Sequence, residues 1–242
     1  MTRAVHGLIG DVIAAIGAPD FVSATADSVR RFAGFDLAAI VLHPESEPPR
    51  VLFDDFDRIG RRDAIETYAR VTHRINPMLA RPGVVRARDF AGTAPERIAA
   101  LRPWLVAAPD EELGFRTTGW PERQEEIGLH LRGWDGTIEI GLYRERGQHA
   151  APATILRALD SAATPIAAAF ERHRVLTGEG AVLLACLSPR EHQVCDLLLL
   201  GCSSDAIALR LGISRHTVKD HRKQIFRKLG IASLAELFAS LH

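Results

Sequence analysis

Residues 187–238 read LSPREHQVCDLLLLGCSSDAIALRLGISRHTVKDHRKQIFRKLGIASLAELF. The stretch is punctuated as four short helices. Ser188 is an N-cap, Pro189 occupies the first turn, and Glu191 completes a capping box, so a helix opens there and runs to Leu200 before Gly201. Ser203 and Ser204 cap a second helix through Leu211, and Gly212 supplies a tight turn. Ser214 caps a third helix that closes at Leu229-Gly230, and Ser233-Leu234-Ala235-Glu236 opens a last one from Ser233 to Leu241. On the third helix Val218, Ile225 and Leu229 recur at spacings of seven and four, a stripe that faces a core containing Ile207 and Leu211. Arg215, His216, Lys219, Asp220, Lys223 and Arg227 form the opposite, largely basic stripe.

The charge distribution supports a polyanionic partner for that stripe. The whole chain has formal net charge +0. Yet all three lysines (Lys219, Lys223, Lys228) lie near its C-terminus, and residues 210–230 hold seven basic side chains against the single acid Asp220. Residues 1–187 hold 22 arginines and 25 acids, a net charge of −3. A basic segment on a mildly acidic body is the electrostatic footprint of nucleic-acid binding. A short helix, a glycine turn and a cation-fronted helix give the helix-turn-helix pattern, because the major groove admits one helix and long side chains reach the base edges from its outer face. Ser214 and Thr217 sit at the helix N-terminus, where hydroxyls and free amides bind phosphate.

The segment 187–238 resembles the DNA-binding domain of the LuxR family of bacterial transcription regulators. The resemblance is carried by Ser188-Pro189-Arg190-Glu191, Gly201, Ile207-Ala208, Leu211-Gly212-Ile213-Ser214, Thr217-Val218-Lys219, His221 and Lys228-Leu229-Gly230. It implies a tetrahelical domain, a homodimer on a two-fold or pseudo-palindromic double-stranded operator, and contact with the transcription machinery. Carried over by position, Lys219, Asp220 and Lys223 are base-reading candidates, and Thr217 and Arg222 phosphate candidates; Ser214, Arg215 and Arg227 complete the DNA-facing set. Asp220 stands where the family often has an apolar residue. It either accepts from a cytosine amino group, pairs within the helix with Lys223 or Gln224, or repels phosphates of wrong sequences. His221 either braces the helix or contacts phosphate.

Outward from this module, the chain of 242 residues, 47% hydrophobic and 25% charged, has an ordinary globular composition with room for one large or two modest domains. Collagen, coiled-coil rods and disordered tails are excluded. Three cysteines, Cys186, Cys195 and Cys202, fit neither a disulfide framework nor a metal pair and point to a reducing cytoplasm. No apolar run reaches the roughly 18 residues a membrane span needs, and the N-terminus does not have the form of a signal peptide.

Helical spacing is expected over Val5–Ile16, Asp20–Phe32, Ile59–Ile75, Pro95–Leu105 and about Pro152–Leu176. Strands are expected over Leu37–His43, Val51–Phe53, Val84–Ala87, Ile127–Leu131 and Thr137–Leu142, the last two bracketing the turn residues Asp135-Gly136. The predicted fold is α+β: an N-terminal α/β/α sandwich sensor-like domain over residues 1–176, a linker over 177–186 marked by Thr177-Gly178-Glu179-Gly180, and an all-α helix-turn-helix domain over 187–242.

The input half is similar to GAF- or PAS-like domains of LuxR proteins. Its segment Tyr68–Met78, YARVTHRINPM, resembles the acyl-homoserine-lactone receptor segment, with Asn76-Pro77 in place of an aspartate-proline pair. Because no lysine precedes Lys219, neither a phosphorylated receiver domain nor a P-loop is present in this half. Tyr68, Trp104 and Trp120 are candidates to line a ligand cavity, with Trp134 and Tyr143 as further aromatics, unless these rings are ordinary core. His73, His130, His149 and His173 have no metal-site spacing, and no cofactor is expected. No GxSxG, HExxH or GxGxxG motif supports an enzyme. The sequence therefore predicts a DNA-binding transcription regulator controlled by a small molecule; the alternative is an input domain that binds a protein or only dimerises.

Overall fold

The computed structural model describes residues 2–91, 95–134, 136–147, 150–184 and 186–239. They form two compact units, residues 1–173 and 174–242. Helices α1 (Thr2–Ala14) and α2 (Phe21–Ala33) lead into β1 (Leu37–Pro44) and β2 (Arg50–Asp54). Helix α3 (Arg62–Arg70), β3 (Gly83–Arg86), α4 (Pro95–Ala100), β4 (Leu105–Ala107) and β5 (Phe115–Thr117) follow. The unit is completed by β6 (Gln124–Gly133), β7 (Gly136–Glu145) and residues 153–173 of the long α5 (Ala153–Leu184). Five strands make one antiparallel sheet in the order β2-β1-β7-β6-β3, and β4 pairs with β5 in a small separate sheet.

Register decides the chemistry of each sheet face, because successive side chains alternate. One face carries Ala38, Ile40, Leu42, Ile127, Leu129, Leu131, Ile138, Ile140 and Leu142, all buried. Helices α2 and α5 supply its apolar cover; Phe21 of α2 meets Phe170 of α5 edge-on at 4.9 Å, and Trp134 meets Phe170 at 5.7 Å. The other face carries Leu37, Ala39, Val41, Tyr143, Gly141, Glu139, Glu126, Gly128 and His130. Here Ala64, Ile65 and Tyr68 of α3 pack with Phe56 over Leu37, Ala39 and Val41. The result is the expected helix-sheet-helix layering.

Several elements differ from the sequence reading for local reasons. The helix expected over Ile59–Ile75 is a 3₁₀ turn at Phe56–Ile59, α3, and a second 3₁₀ turn at Thr72–Ile75. Gly60, at φ 67°, ends the first turn before α3 begins. Helix α4 stops at Ala100, since Pro103 pushes its predecessor out of helical geometry, and Leu105 belongs to β4. The three-residue strands β4 and β5 are too short to show a period. Asp135, part of the expected turn, and His149 lie outside the described residues. The segment expected as linker is helical to Leu184 except at Gly178, whose φ of 76° and ψ of 163° interrupt α5. Thr177 and Glu179 carry no comparable penalty in a helix, so glycine alone breaks it.

The second unit follows its local signals closely. Helices α6 (Pro189–Leu199), α7 (Ser204–Leu211), α8 (Arg215–Leu229) and α9 (Leu234–Ala239) each start at a serine cap. The capping box is complete: Ser188 Oγ accepts from Glu191 N at 3.3 Å and Glu191 Oε2 accepts from Ser188 N at 2.7 Å. Gly212 takes φ 63°, the left-handed conformation that lets α7 turn into the segment before α8. Leu187, Val194, Cys195, Leu198, Ile207, Ala208, Val218, Ile225 and Leu237 form the core, with Leu211 and Leu229 packed at its edge. Residues 240–242, the expected end of the last helix, lie outside the described residues.

Candidate functional site

Helix α8 separates its two faces cleanly. Val218 and Ile225 are fully buried, while Arg215, His216, Lys219, Asp220, Lys223 and Arg227 are exposed. Ser214 Oγ accepts from Thr217 N at 3.0 Å and lies 2.8 Å from Thr217 Oγ1, which fixes both hydroxyls at the helix entrance. Arg215 pairs with Asp205 of α7 at 3.3 Å. The Arg222 guanidinium lies over the Phe226 ring at 5.0 Å, and Arg227 donates to Gln224 at 2.6 Å. Lys219 and Lys223 have no ion-pair partner among the described residues, so their charge is free to meet a polyanion. Lys228 differs from the other basic residues of this stretch: it is nearly buried and pairs with Glu191, tying the end of α8 to the start of α6. Burial and the neighbouring Glu191 leave the Cys186 thiol pushed up to about 12 although Lys228 lowers it, and burial also raises Cys195 to about 11. Both are therefore protonated thiols at neutral pH rather than reactive thiolates.

In the first unit the polar sheet face holds a buried hydrogen-bond network centred on Glu139. Its Oε2 accepts from Tyr68 Oη at 2.7 Å and lies 2.8 Å from His43 Nε2. Asn76 Nδ2 donates to Tyr68 Oη at 2.8 Å and to Glu139 Oε1 at 3.2 Å. His130 Nδ1 donates to the Arg81 carbonyl at 2.9 Å and turns Nε2 toward Glu139 at 3.6 Å. Burial opposes ionisation of Glu139, yet the bonds and charges of His130 and His43 hold its carboxyl well below the usual range. Burial, reinforced by Glu139, pushes the Tyr68 phenol up, so it remains a neutral donor. The Gly128–Gly141 pair makes room for these rings: a Cβ at Gly141 would lie 2.1 Å from Tyr143 Oη, and one at Gly128 2.8 Å from His130 Nε2.

Beside this network lies a cavity of about 50 Å³. Its wall includes Tyr68, Thr72 and Asn76 from one side and Glu112, Phe115, Arg116, Thr117 and Trp120 from the β4–β5 region, with Glu126 from β6. Trp120 packs against Phe56, Tyr143 and Tyr68 with centroid separations of 4.6, 5.2 and 5.9 Å. Thr72 and Thr117 join their hydroxyls at 2.7 Å across the wall. Glu126 is half-buried and lines the cavity. Burial, then the charges of Glu139 and Glu112, push it up to about 8.

Residues 185–241 match the family model of bacterial regulatory proteins of the luxR family. An HTH-type transcriptional regulator from the exeN 3′ region of Aeromonas salmonicida is 32% identical over 152 residues, covering 51% of this chain and 74% of that relative. The chain belongs to the LuxR family of transcription regulators. The transcriptional regulatory protein TdiR of Thauera aromatica is 49% identical over 55 residues, 23% of this chain and 24% of the relative. Among solved structures, the VqsR LBD domain from Pseudomonas aeruginosa aligns at 13% identity over 71% of this chain and 96% of its own, with TM-score 0.46. SdiA in complex with octanoyl-rac-glycerol aligns at 14% identity over 99% of this chain and 94% of its own, with TM-score 0.45.

In this LuxR-family regulator the structure brings Tyr68 and Trp120 together at the cavity but leaves Trp104 outside its lining, 38% exposed. Trp104 is held instead by its backbone, which bonds Thr118 N and Leu101 O. Asp220 pairs with His216 at 3.6 Å, a partner the sequence reading did not consider. That reading also missed Glu126, Glu139 and His43, and weighed His130 only as a metal ligand. For Glu126, His130 and Glu139 the signal was present as alternation in EEIGLHL and TIEIGLY, but a polar strand face ordinarily means solvent. No group of three or more His, Cys, Asp or Glu side chains among the described residues is placed to hold a metal ion. No described helix is long and apolar enough to cross a membrane.

Proposed function

We propose that the protein is a cytoplasmic, non-enzymatic transcription regulator whose α8 reads a two-fold operator as a homodimer and whose N-terminal cavity binds a small-molecule signal that sets DNA affinity. The observation that carries the DNA half is the pair Lys219 and Lys223, exposed and without ion-pair partners among the described residues, on the face opposite Val218 and Ile225. Lys219, Asp220 and Lys223 are assigned to base edges. Ser214, Arg215, Thr217, Arg222 and Arg227 are assigned to phosphates, where hydroxyls and guanidinium groups fix register without reading sequence. Productive docking then presents the dimer to the transcription machinery. The signal half rests on the small cavity beside the Glu139 network, where the rings of Tyr68, Phe115 and Trp120 meet polar groups such as Asn76 and Thr72, the kind of mixed lining that binds small molecules. The likeness of Tyr68 and Asn76-Pro77 to a lactone-receptor segment agrees with that location.

The test of the DNA half begins by selecting an operator from fragmented genomic DNA with the full-length protein. Anisotropy titration then follows for Lys219→Ala and Lys223→Ala. Each is expected to weaken binding by about 1–3 kcal/mol and relax specificity at one position. Wild-type affinity in both variants overturns the assignment. The signal half is tested by native mass spectrometry of protein purified from its own host, repeated after extraction with organic solvent. A non-covalent mass that copurifies, is removed by extraction and changes operator affinity when returned supports the reading. Bare polypeptide whose operator affinity is unaltered by host extract overturns it.

A further inference from the structure

Asp220 stands out on the exposed basic side of α8. It is the single acid among residues 210–230, set beside Lys219 and one turn from Lys223, where its charge opposes that of a phosphate backbone. Its ion-pair partner among the described residues is neither Lys223 nor another lysine but His216, one turn earlier, whose Nε2 lies 3.6 Å from Asp220 Oδ2. Gln224 is taken by Arg227 at 2.6 Å. The adjoining α7 brings a second acid, Asp205, which Arg215 holds at 3.3 Å. The side chains of His216 and Asp220 are 87% and 62% exposed, so the pair braces no core. They occupy the second and sixth positions of α8, in the half of a recognition helix that meets base edges.

We propose that His216 and Asp220 read one base as a unit: Asp220 accepts from the amino group of a cytosine, and His216, protonated in the complex, neutralises and aims that carboxylate. The inference rests on reading α8 as the recognition helix and adds to it one base and one positioning residue. The base follows from the acid. An ionised carboxylate offers acceptors alone, while guanine and thymine also show acceptors in the major groove and adenine sets its N7 acceptor beside its amino group. Cytosine presents a donor with no acceptor beside it.

The positioning residue follows from the surroundings. Phosphates push an uncompensated carboxylate out of the groove, whereas an imidazolium one turn away removes the net charge and still leaves carboxylate lone pairs for the base. The charged groups around His216 are Lys219 and Asp220 on its own helix and, across the turn, the paired Arg215 and Asp205. DNA adds phosphates to that set, which favours the charged ring, and histidine is the side chain whose charge changes near neutrality. The pair therefore takes up a proton together with its base.

The test uses the full-length protein and its selected operator, with each base pair of one half-site substituted in turn, in anisotropy titrations at about pH 6.5 and about pH 8.5. The unaltered protein is expected to lose about tenfold in affinity when one particular cytosine is replaced, and to bind several-fold more weakly at the higher pH. His216→Ala is expected to lose the pH dependence and most of that cytosine preference. His216→Arg, a permanent cation, is expected to restore the preference without the pH dependence. Asp220→Asn is expected to move the preference at that position to adenine, which an amide contacts through both N6 and N7. Far-ultraviolet circular dichroism verifies the helices of each variant. If His216→Ala keeps the original pH dependence and base preference, the positioning role is overturned. If Asp220→Asn leaves the preference at every position as it was, the cytosine contact is overturned. In either case, binding weakened by Lys219→Ala and Lys223→Ala leaves α8 standing as the recognition helix, whereas wild-type affinity in those two variants as well overturns that reading with the proposal.

Discussion

The two faces of the N-terminal sheet are built from alternate residues of the same strands, and they are stabilised in opposite ways. On one, Ile127, Leu129, Ile138, Ile140 and Leu142 are all within 1% exposure, packed under α2 and α5. That contact is non-directional, and each side chain contributes in proportion to the area it removes from water. On the other, Glu139 and His130 are buried equally deeply, but each is tolerated only because named partners meet it at hydrogen-bond or ion-pair distance. The difference teaches that burial alone does not define a core. The apolar face degrades gradually, whereas the polar face fails when one partner is lost.

The largest break in this comparison is expected from Glu139→Ala. It strands Tyr68, His43 and Asn76 without their acceptor and costs about 3–5 kcal/mol, with Glu139→Gln losing less. On the apolar face Ile140→Ala removes one side chain from a close-packed layer and costs about 3 kcal/mol through transfer and cavity terms. Urea denaturation followed by the transition midpoint of the first unit ranks the two; equal losses would dissolve the distinction between faces. Third, Asn76→Asp sets a second carboxylate against Glu139, where the amide now donates. It is expected to cost about 2 kcal/mol near pH 8 and less near pH 5, where the new acid protonates.

The pH profile sharpens the contrast further because two acids on one face act with opposite sign. Glu139 has a lowered folded pKa, so its contribution is present above the unfolded value near 4.5 and is lost as pH falls toward its folded value. Glu126 has a raised one, so its contribution is full below 4.5 and is lost as pH rises through about 8. Stability of the ligand-free protein is therefore expected to decline between about pH 5 and 8 with a slope approaching 1.4 kcal/mol per pH unit from Glu126. Glu126→Gln should flatten that alkaline limb and leave the acid limb; an unchanged alkaline slope contradicts the raised carboxyl. The smallest effect is expected far from both faces. Ser203→Ala removes the acceptor of Ala206 N and should cost about 1 kcal/mol, read from the melting of the second unit.

That last substitution marks where sequence reading is strongest. The four C-terminal helices, their serine caps and the buried stripe Val218, Ile225 were legible because caps and helical periods are written within a few residues of where they act. The inward turn of Lys228 was not, since its partner Glu191 is 37 residues away. In the sheet, alternation revealed two faces and the strand positions, while β4 and β5 were too short to declare themselves. Asn76 could be picked out as a substitution in a familiar segment, but not why an amide belongs there: it donates to both Tyr68 and Glu139, which aspartate cannot do when ionised.

The amino-acid sequence by itself determined the four C-terminal helices, the charge of α8 and the two-faced strands, because local hydrogen bonds and side-chain periods act over a turn or a strand. Only the tertiary structure decided that the polar face is covered, that Trp120 but not Trp104 meets Tyr68, and that Glu126 lines a cavity. Those outcomes depend on which distant segments exclude water from a given carboxylate, and desolvation is a property of the packed whole.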